Sequence, residues 1–531
     1  MNLRGSLAVA LFVAACAPKT QTPPDVGPPA RTLTLLATGD VGSDTDVCGC
    51  KAHPLGGVAR RIQLVKERGP QVLVVDAGDL FFRTWSISPR YEAQAKETAH
   101  FLADTLKDQA VPAMAVGERD LALGLGYLRR LADRAGVKLL AANLAHSGSG
   151  TAAFDAFTLV ERNGIKVGLI GAAPELPAGA QAQQVYRLAG LTNVATLPAL
   201  ESAARAARAA GAELVIGLLH LGQARAVEVL SALPAGTVDF AVVAHDRQAG
   251  QVQVLGGGKT GMVLAGERGK YLISATLELK PGASLWLDEN AVAAQQKQIE
   301  AIEQRLLAYR QEDAGAADPG DRAATVGRLE RRQQELLAEL ATLDRKGRRL
   351  LSGHLLEVEP TLKEDPSTQA RYRSYQQRLH VVNTGEPIPN RAEVNYVGHA
   401  GCKSCHEAAY TQWNKTGHAR AWATMERTRQ TANLDCVPCH VTGFERPGGP
   451  AQIVGLEAFV NVGCESCHGP GSAHVANPKV ALDYGRQVPE KVCAECHRAQ
   501  ADQKPFTYEE RLPQVLGPGH GRPGPKVRPA R

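Results

Sequence analysis

Between residues 402 and 497 the pentapeptide Cys-x-x-Cys-His occurs four times: Cys402-Lys403-Ser404-Cys405-His406, Cys436-Val437-Pro438-Cys439-His440, Cys464-Glu465-Ser466-Cys467-His468 and Cys493-Ala494-Glu495-Cys496-His497. No other feature constrains the fold as much. From about residue 395 onward Cys, His and Gly are dense and aliphatic periodicity fades, so this stretch needs a cofactor to supply its core. The spacing names the cofactor. Two thiols one helical turn apart can each add to a haem vinyl group, and the adjacent imidazole then lies under the iron as proximal ligand. Isolated Cys-x-x-Cys pairs also serve zinc and redox chemistry. A His after every one of the four favours c-type haem. The expectation is four covalently attached haems with His406, His440, His468 and His497 as proximal ligands.

The sixth ligands have several candidates. The same region holds His399, His418, His474 and His520, and one methionine, Met425. Four spare imidazoles for four haems permit mostly bis-His, low-spin, low-potential iron. His418 and His474 are the stronger distal candidates. His399 and His520 are open, since His520 sits in a Gly- and Pro-rich tail.

The remaining cysteines point to the compartment and to a second site. Of 11 Cys, eight lie in the motifs. Cys16 ends the run Val13-Ala14-Ala15-Cys16 after Arg4 and a short apolar stretch, residues 7–15. That run is well under the roughly 20 residues of a membrane span. It resembles a bacterial lipobox, in which the Cys thiol receives the lipid. The alternative is an ordinary cleaved signal with an incidental Cys. Export as a lipoprotein, on the periplasmic or cell-surface face of a membrane, is the expectation, with residues 17–31 as a flexible tether. Cys48 and Cys50 form an isolated Cys-x-Cys pair with His53 nearby. They read either as metal or redox groups or as a pair in a surface loop.

Charge is mixed, with 60 Lys and Arg against 54 Asp and Glu, and no basic block stands out. No nucleic-acid partner is inferred.

The chain reads as multidomain. Residues 32–283 alternate short apolar runs with amphipathic helical stretches, an α/β pattern whose strands are buried on both faces. Asn163-Gly164 between apolar runs signals a hairpin. Residues 288–352 read as a helical hairpin, coiled-coil-like. Val292, Ile299, Ile302, Leu306 and Tyr309 recur on one side of a loop, and Leu329, Leu336, Leu340, Leu343 and Leu350 on the other. It is either a homodimerisation arm and spacer or an appendage packed on its own chain. Residues 353–394 read as a connector, 395–512 as a mainly helical and irregular haem-packed domain, and 513–531 as a tail.

Two resemblances add to this. Tyr396-Val397-Gly398, Trp413 with Thr416-Gly417-His418-Ala419, Cys439-His440-Val441-Thr442-Gly443, Val462-Gly463-Cys464-Glu465 and His468-Gly469-Pro470-Gly471 with His474 resemble the multihaem family that includes the tetrahaem electron acceptor of hydroxylamine oxidoreductase. The resemblance implies a compact haem stack, periplasmic electron transfer with redox partner proteins, and distal roles for His418 and His474. Members can also leave one haem five-coordinate, open to a small ligand.

Residues 35–279 resemble the metallophosphoesterase domain of the 5′-nucleotidase family. The matching stretches are Gly39-Asp40, Gly56-Gly57-Val58-Ala59-Arg60-Arg61, Val75-Asp76-Ala77-Gly78-Asp79-Leu80, Ala142-Asn143-Leu144, Leu219-His220-Leu221-Gly222 and the run from Asp239 to His245. The resemblance implies an α/β sandwich with Asp40, Asp79, His220 and His245 as metal ligands. The pattern is altered. Gly42 and Arg247 stand where the family has imidazoles, and Gly117-Glu118-Arg119-Asp120 replaces Gly-Asn-His-Glu. Arg119 cannot donate a proton in the usual way. Glu118 keeps a ligand atom, and Arg119 and Arg247 offer charges for carboxylates left without metals. A degenerate domain with at most one divalent metal is expected. The alternatives are a phosphoesterase with an attached cytochrome, or a multihaem reductase of a small nitrogen or sulfur compound.

Overall fold

The computed structural model describes residues 30–47, 54–177, 179–311, 319–343, 345–384, 390–497 and 506–517. Cys16, Cys48, Cys50 and His520, with most of the tether and tail, lie outside them.

Among the described residues, fifteen strands build the first part of the chain. In order they are β1 Arg31–Thr38, β2 Leu73–Asp76, β3 Ala113–Ala115, β4 Lys138–Leu140, β5 Leu144–His146, β6 Phe157–Arg162, β7 Ile165–Ala172, β8 Leu191–Asn193, β9 Leu214–Leu219, β10 Phe240–Val243, β11 Gln253–Leu255, β12 Thr260–Leu264, β13 Tyr271–Leu279, β14 Trp286–Asp288 and β15 Arg349–Glu357. One sheet runs β14-β15-β13-β1-β2-β3-β4 and a second runs β11-β12-β10-β9-β7-β6. Strands β1 to β4 are parallel neighbours, as are β7, β9, β10 and β12. Alternate side chains of the strands take opposite faces. Leu33, Leu35 and Ala37 of β1 meet Val167, Leu169, Ile216 and Phe240 of the other sheet in one buried cluster. Leu36 faces the helices on the outer side. The result is an α/β/β/α sandwich.

The expected Asn163-Gly164 turn joins β6 to β7 with both residues at positive φ, 50° and 68°. That is the backbone of a type I′ hairpin turn, where Asn and Gly are tolerated best.

The outer layer beside β1–β4 contains α1 Val58–Glu67, α2 Pro89–Asp108 and α3 Leu125–Ala135. Helix α4, Gln183–Leu188, is short. Helices α5 Thr196–Ala209 and α6 Gln223–Ala232 cover the second sheet.

Helices α7 Glu289–Gln311 and α8 Pro319–Ala341 lie antiparallel. Gln295 donates to the Leu336 carbonyl and to Glu339, and Gln333 to Glu303. Val292, Ile299, Leu306 and Leu336 are buried. The stripe is thus spent within the chain.

The second helix stops earlier than its spacing implied. Leu350 and the residues after it form β15, which pairs antiparallel with β13 and buries Leu351 completely. Pairing with β13 along its length and with β14 at its start satisfies most backbone groups of this segment. That outweighs a leucine spacing shared by helix and strand. Residues 353–394 are likewise more than a connector. Helix α9, Pro366–Asn383, is capped by Asp365, whose Oδ1 accepts from Thr368 N at 2.8 Å. It buries Tyr372, Tyr375 and Leu379 in the same cluster as Phe101 of α2. The Phe101 and Tyr375 rings stack at 4.9 Å.

The C-terminal part is short helices and turns from Ala400–Lys403 to Tyr508–Arg511. Its apolar cluster, Met425, Leu434, Val437, Val441, Phe444 and Leu456, includes Tyr91 of α2. Gln94 of α2 locks the two parts together. Its Nε2 donates to Asn433 (3.0 Å), and its Oε1 accepts from Asn383 Nδ2 and Leu434 N (both 2.8 Å). No helix among the described residues is long and apolar enough to cross a membrane.

Candidate functional site

Asp40, Asp79, Glu118, His220 and His245 all follow the carboxyl ends of parallel strands, β1, β2, β3, β9 and β10. Open α/β sheets gather their sites there. Three of them have positive φ: Asp40 at 50°, Asp79 at 56° and His245 at 104°. Backbone of this kind persists where the surroundings over-determine it. Asp120 is one reason. It is fully buried and accepts from the amides of Asp79, Leu80, Phe81 and Gly117 at 2.8–3.1 Å, fixing the loop after β2. The only sequence signal for that role is its place three residues after Gly117.

Arg119 occupies the space between two carboxylates. Its Nη2 donates to Asp40 Oδ1 at 2.5 Å, its Nε donates to Asp79 Oδ2, and its amide donates to Asp79 Oδ1 at 2.8 Å. Burial opposes its charge, but Asp79, Asp40 and Glu118 together hold it more firmly protonated than a free arginine. Burial pushes the Asp40 carboxyl above its usual range, with His220 and Arg119 pulling against it. Asp40, Asp79 and His220 bring ligand atoms within 4.8 Å of one another, but Arg119 already places a cation between the two carboxylates. Arg247, the other arginine offered to these carboxylates by the sequence, is exposed.

The second position differs. His220 Nδ1 donates to the Ala77 carbonyl at 2.8 Å, which turns Nε2 into the cluster. Nε2 is 3.1 Å from Asp79 Oδ2 and 3.5 Å from Glu118 Oε2, and His245 Nδ1 is 3.5 Å from that same Glu118 oxygen. Ligands about 2.1 Å from one tetrahedral metal stand about 3.4 Å apart. Glu118 Oε2, His220 Nε2 and His245 Nδ1 are buried without a hydrogen-bond partner. An acceptor oxygen and two imidazole nitrogens suit a divalent ion. Burial works against the Glu118 carboxylate, yet the two imidazoles hold it well below its usual range. Burial also works against a charged His220, and Asp79, Glu118 and Asp40 outweigh it.

Two residues matched to the resemblance lie elsewhere. Asp239 Oδ2 takes a hydrogen bond from Val215 N at 2.7 Å, and the Asp239 carboxylate pairs with Arg208 and Arg349. Asn143 bonds the backbone of Ala173 and the Thr196 hydroxyl. Both brace the sandwich.

In the C-terminal part the motifs are single turns. His406 N donates to Cys402 O, and His497 N to Cys493 O, at 3.0 and 2.9 Å. All eight motif cysteines are free of disulfides. The His406 and His474 rings stack with centroids 6.2 Å apart, and those of His418 and His497 lie 6.1 Å apart. Two metal–imidazole bonds of about 2 Å plus the ring radii come to about 6 Å. His440 Nδ1 and His474 Nδ1 are tied to the carbonyls of Ala421 and Val480 at 2.7 Å, leaving Nε2 for iron. His399 packs on Trp413 with centroids 4.8 Å apart, and burial holds its imidazole toward the neutral form. Across motifs, the thiols of Cys402 and Cys464 lie side by side, as do those of Cys439 and Cys496, and Cys467 is near Cys493.

Turns of this kind, on a part of the chain joined to an α/β sandwich, define the class of c-type cytochromes. Residues 401–469 match the family described as "Cytochrome c554 and c-prime". Cytochrome c-554 of Nitrosomonas europaea is 30% identical over 172 residues, covering 25% of this chain and 72% of that protein. The chain belongs to that family through its C-terminal region. Solved structures similar to it include a 5′-nucleotidase precursor from Thermus thermophilus, at 18% identity and TM-score 0.45, covering 79% of this chain and 72% of that one. A calcineurin-like phosphoesterase from Bacillus subtilis is 17% identical with TM-score 0.45, covering 67% and 100%.

Proposed function

We propose that this chain is an exported electron-transfer protein carrying four c-type haems, with a degenerate phosphoesterase-like domain docked against one end of the haem array. The observation that carries it is the set of four Cys-x-x-Cys-His turns, two of which have a second imidazole at the right separation. His474 pairs with His406, and His418 with His497. The cysteine neighbours support a haem order first, third, fourth, second. In that order the second haem sits beside α2, next to Tyr91 and the Gln94 lock. Bis-imidazole iron passes electrons at low potential without rearranging its ligands. The partners are redox proteins. Cys16 supplies a lipid anchor, which holds the protein at the periplasmic or cell-surface face of a membrane.

Glu118, His220 and His245 hold one divalent metal in the α/β domain. Bound there it would supply Lewis-acid chemistry. Arg119 fills the space between Asp40 and Asp79, so no two-metal site forms. The three orphaned ligand atoms favour a second reading, a one-metal phosphoesterase.

Intact mass of the exported protein tests the first reading, with four covalent haems expected and fewer overturning it. Hydrolysis of nucleotides and a generic phosphate ester with added manganese or zinc tests the second. Turnover lost in His220→Ala would establish it, and none above background would leave the domain as a binding or docking module.

A further inference from the structure

Glu465 follows Cys464 in the third motif, and it is 2% exposed. Its Oε1 accepts from Val397 N at 2.9 Å and Gly471 N at 2.7 Å, and its Oε2 accepts from Gly398 N at 2.7 Å. Among the described residues no basic side chain pairs with it. An ionised carboxylate with only amide donors is a poor way to gain stability, because its desolvation offsets most of the hydrogen bonding.

The amides it holds show what it does. Gly398 directly precedes His399. Gly471 directly precedes the helix Ser472–Ala476, which carries His474. The same two segments are also tied directly, Ser472 N to Asn395 O at 3.0 Å and Asn395 N to Ser472 Oγ at 2.8 Å. The site is shaped for the carboxylate. A Cβ on Gly471 would come within 3.0 Å of Glu465 Oε1, and one on Gly398, at φ +82°, within 2.3 Å of the Ala458 carbonyl.

We propose that Glu465 is a positioning residue for two distal imidazoles, His474 for the first haem and His399 for the third, beside whose motif it lies: a Cβ on Gly463 would be 3.3 Å from His399 Cβ. Its buried negative charge lowers the potentials of that pair. This rests on the four-haem reading above. A fixed anion beside iron stabilises the ferric state, and in a water-poor interior the effect is large. Cys402 and Cys464 lie against each other, so one carboxylate is shared by both haems.

The test uses the full-length, haem-loaded protein. Haem content, spin state by electron paramagnetic resonance and midpoint potentials are measured for wild type, Glu465→Gln and Glu465→Ala. Glu465→Gln keeps the size and removes the charge. It is expected to retain full haem content while two of the four waves move to higher potential and the other two stay. Glu465→Ala is expected also to give a high-spin signal from a haem that has lost its distal imidazole. If Glu465→Ala does not accumulate, Glu465→Gln decides alone. Unmoved potentials in Glu465→Gln at full haem content, or an equal shift of all four, would overturn the proposal. Fewer than four haems in wild type would instead overturn the reading beneath it.

Discussion

Arg119 donates to the buried carboxylate of Asp40 across 2.5 Å, so a guanidinium fixed in the chain stands where two strand-end aspartates would otherwise need an exchangeable cation. The same side chain reaches Asp79. Gly42, at φ +58°, lies beside it, and a Cβ there would be in ordinary contact with Arg119 Nη1 at 3.5 Å.

Removing that cation leaves Asp40 and Asp79 buried and uncompensated. Arg119→Ala should destabilise the α/β domain by about 3–5 kcal/mol, the usual consequence of breaking a buried pair. A divalent ion should restore much of the loss. Thermal unfolding with and without millimolar manganese checks this; a variant as stable as wild type, or indifferent to the ion, would count against the arrangement.

Metal content is a separate expectation. Wild type should hold one divalent ion per chain, by elemental analysis after dialysis. His220→Ala and Glu118→Ala should hold none, because each removes one of three ligand atoms. Arg119→Ala should rise above one.

Much of this site is legible in the sequence. Asp40, Asp79, His220 and His245 carry the block motifs, and Glu118 and Arg119 stand out as replacements. What sequence does not supply is direction. Arg119 and Arg247 are equivalent as residue types, yet only Arg119 points inward. Asp239 matches a block and instead braces β9 against Arg349. In the fold, the strands are readable because they are buried on both faces. Residues 349–383 are not, since Leu350 fits a leucine stripe equally well. Only the free edge of β13 decides that it is a strand.

Gln94 joins the two parts of the molecule. Gln94→Ala leaves Asn383, Asn433 and the Leu434 amide short of a buried partner, at about 1–3 kcal/mol for each group left unpaired. Calorimetry should then resolve separate transitions for the sandwich and the haem region, where wild type shows them coupled.

Asp365 gives a pH dependence with a definite sign. Burial opposes its charge, but Lys66, Ser367 and Thr368 hold its carboxyl well below the ordinary range. A carboxyl depressed by folding stabilises the fold above its unfolded value of about 3.9. That contribution is lost as pH falls toward the folded value. Asp365→Asn should lose up to about 1 kcal/mol near neutrality through the lost ion pair with Lys66, since Asn caps a helix about as well as Asp, and the gap to wild type should narrow in acid. Urea unfolding at pH 7 and pH 3 measures both arms.

The central claim is that this chain moves electrons through four haems. A potentiometric titration of the exported, full-length protein, following haem absorbance and normalised to protein, tests it most directly. Four reversible one-electron steps per chain at low potential are predicted. Fewer than four, or reduction that cannot be reversed, would contradict it.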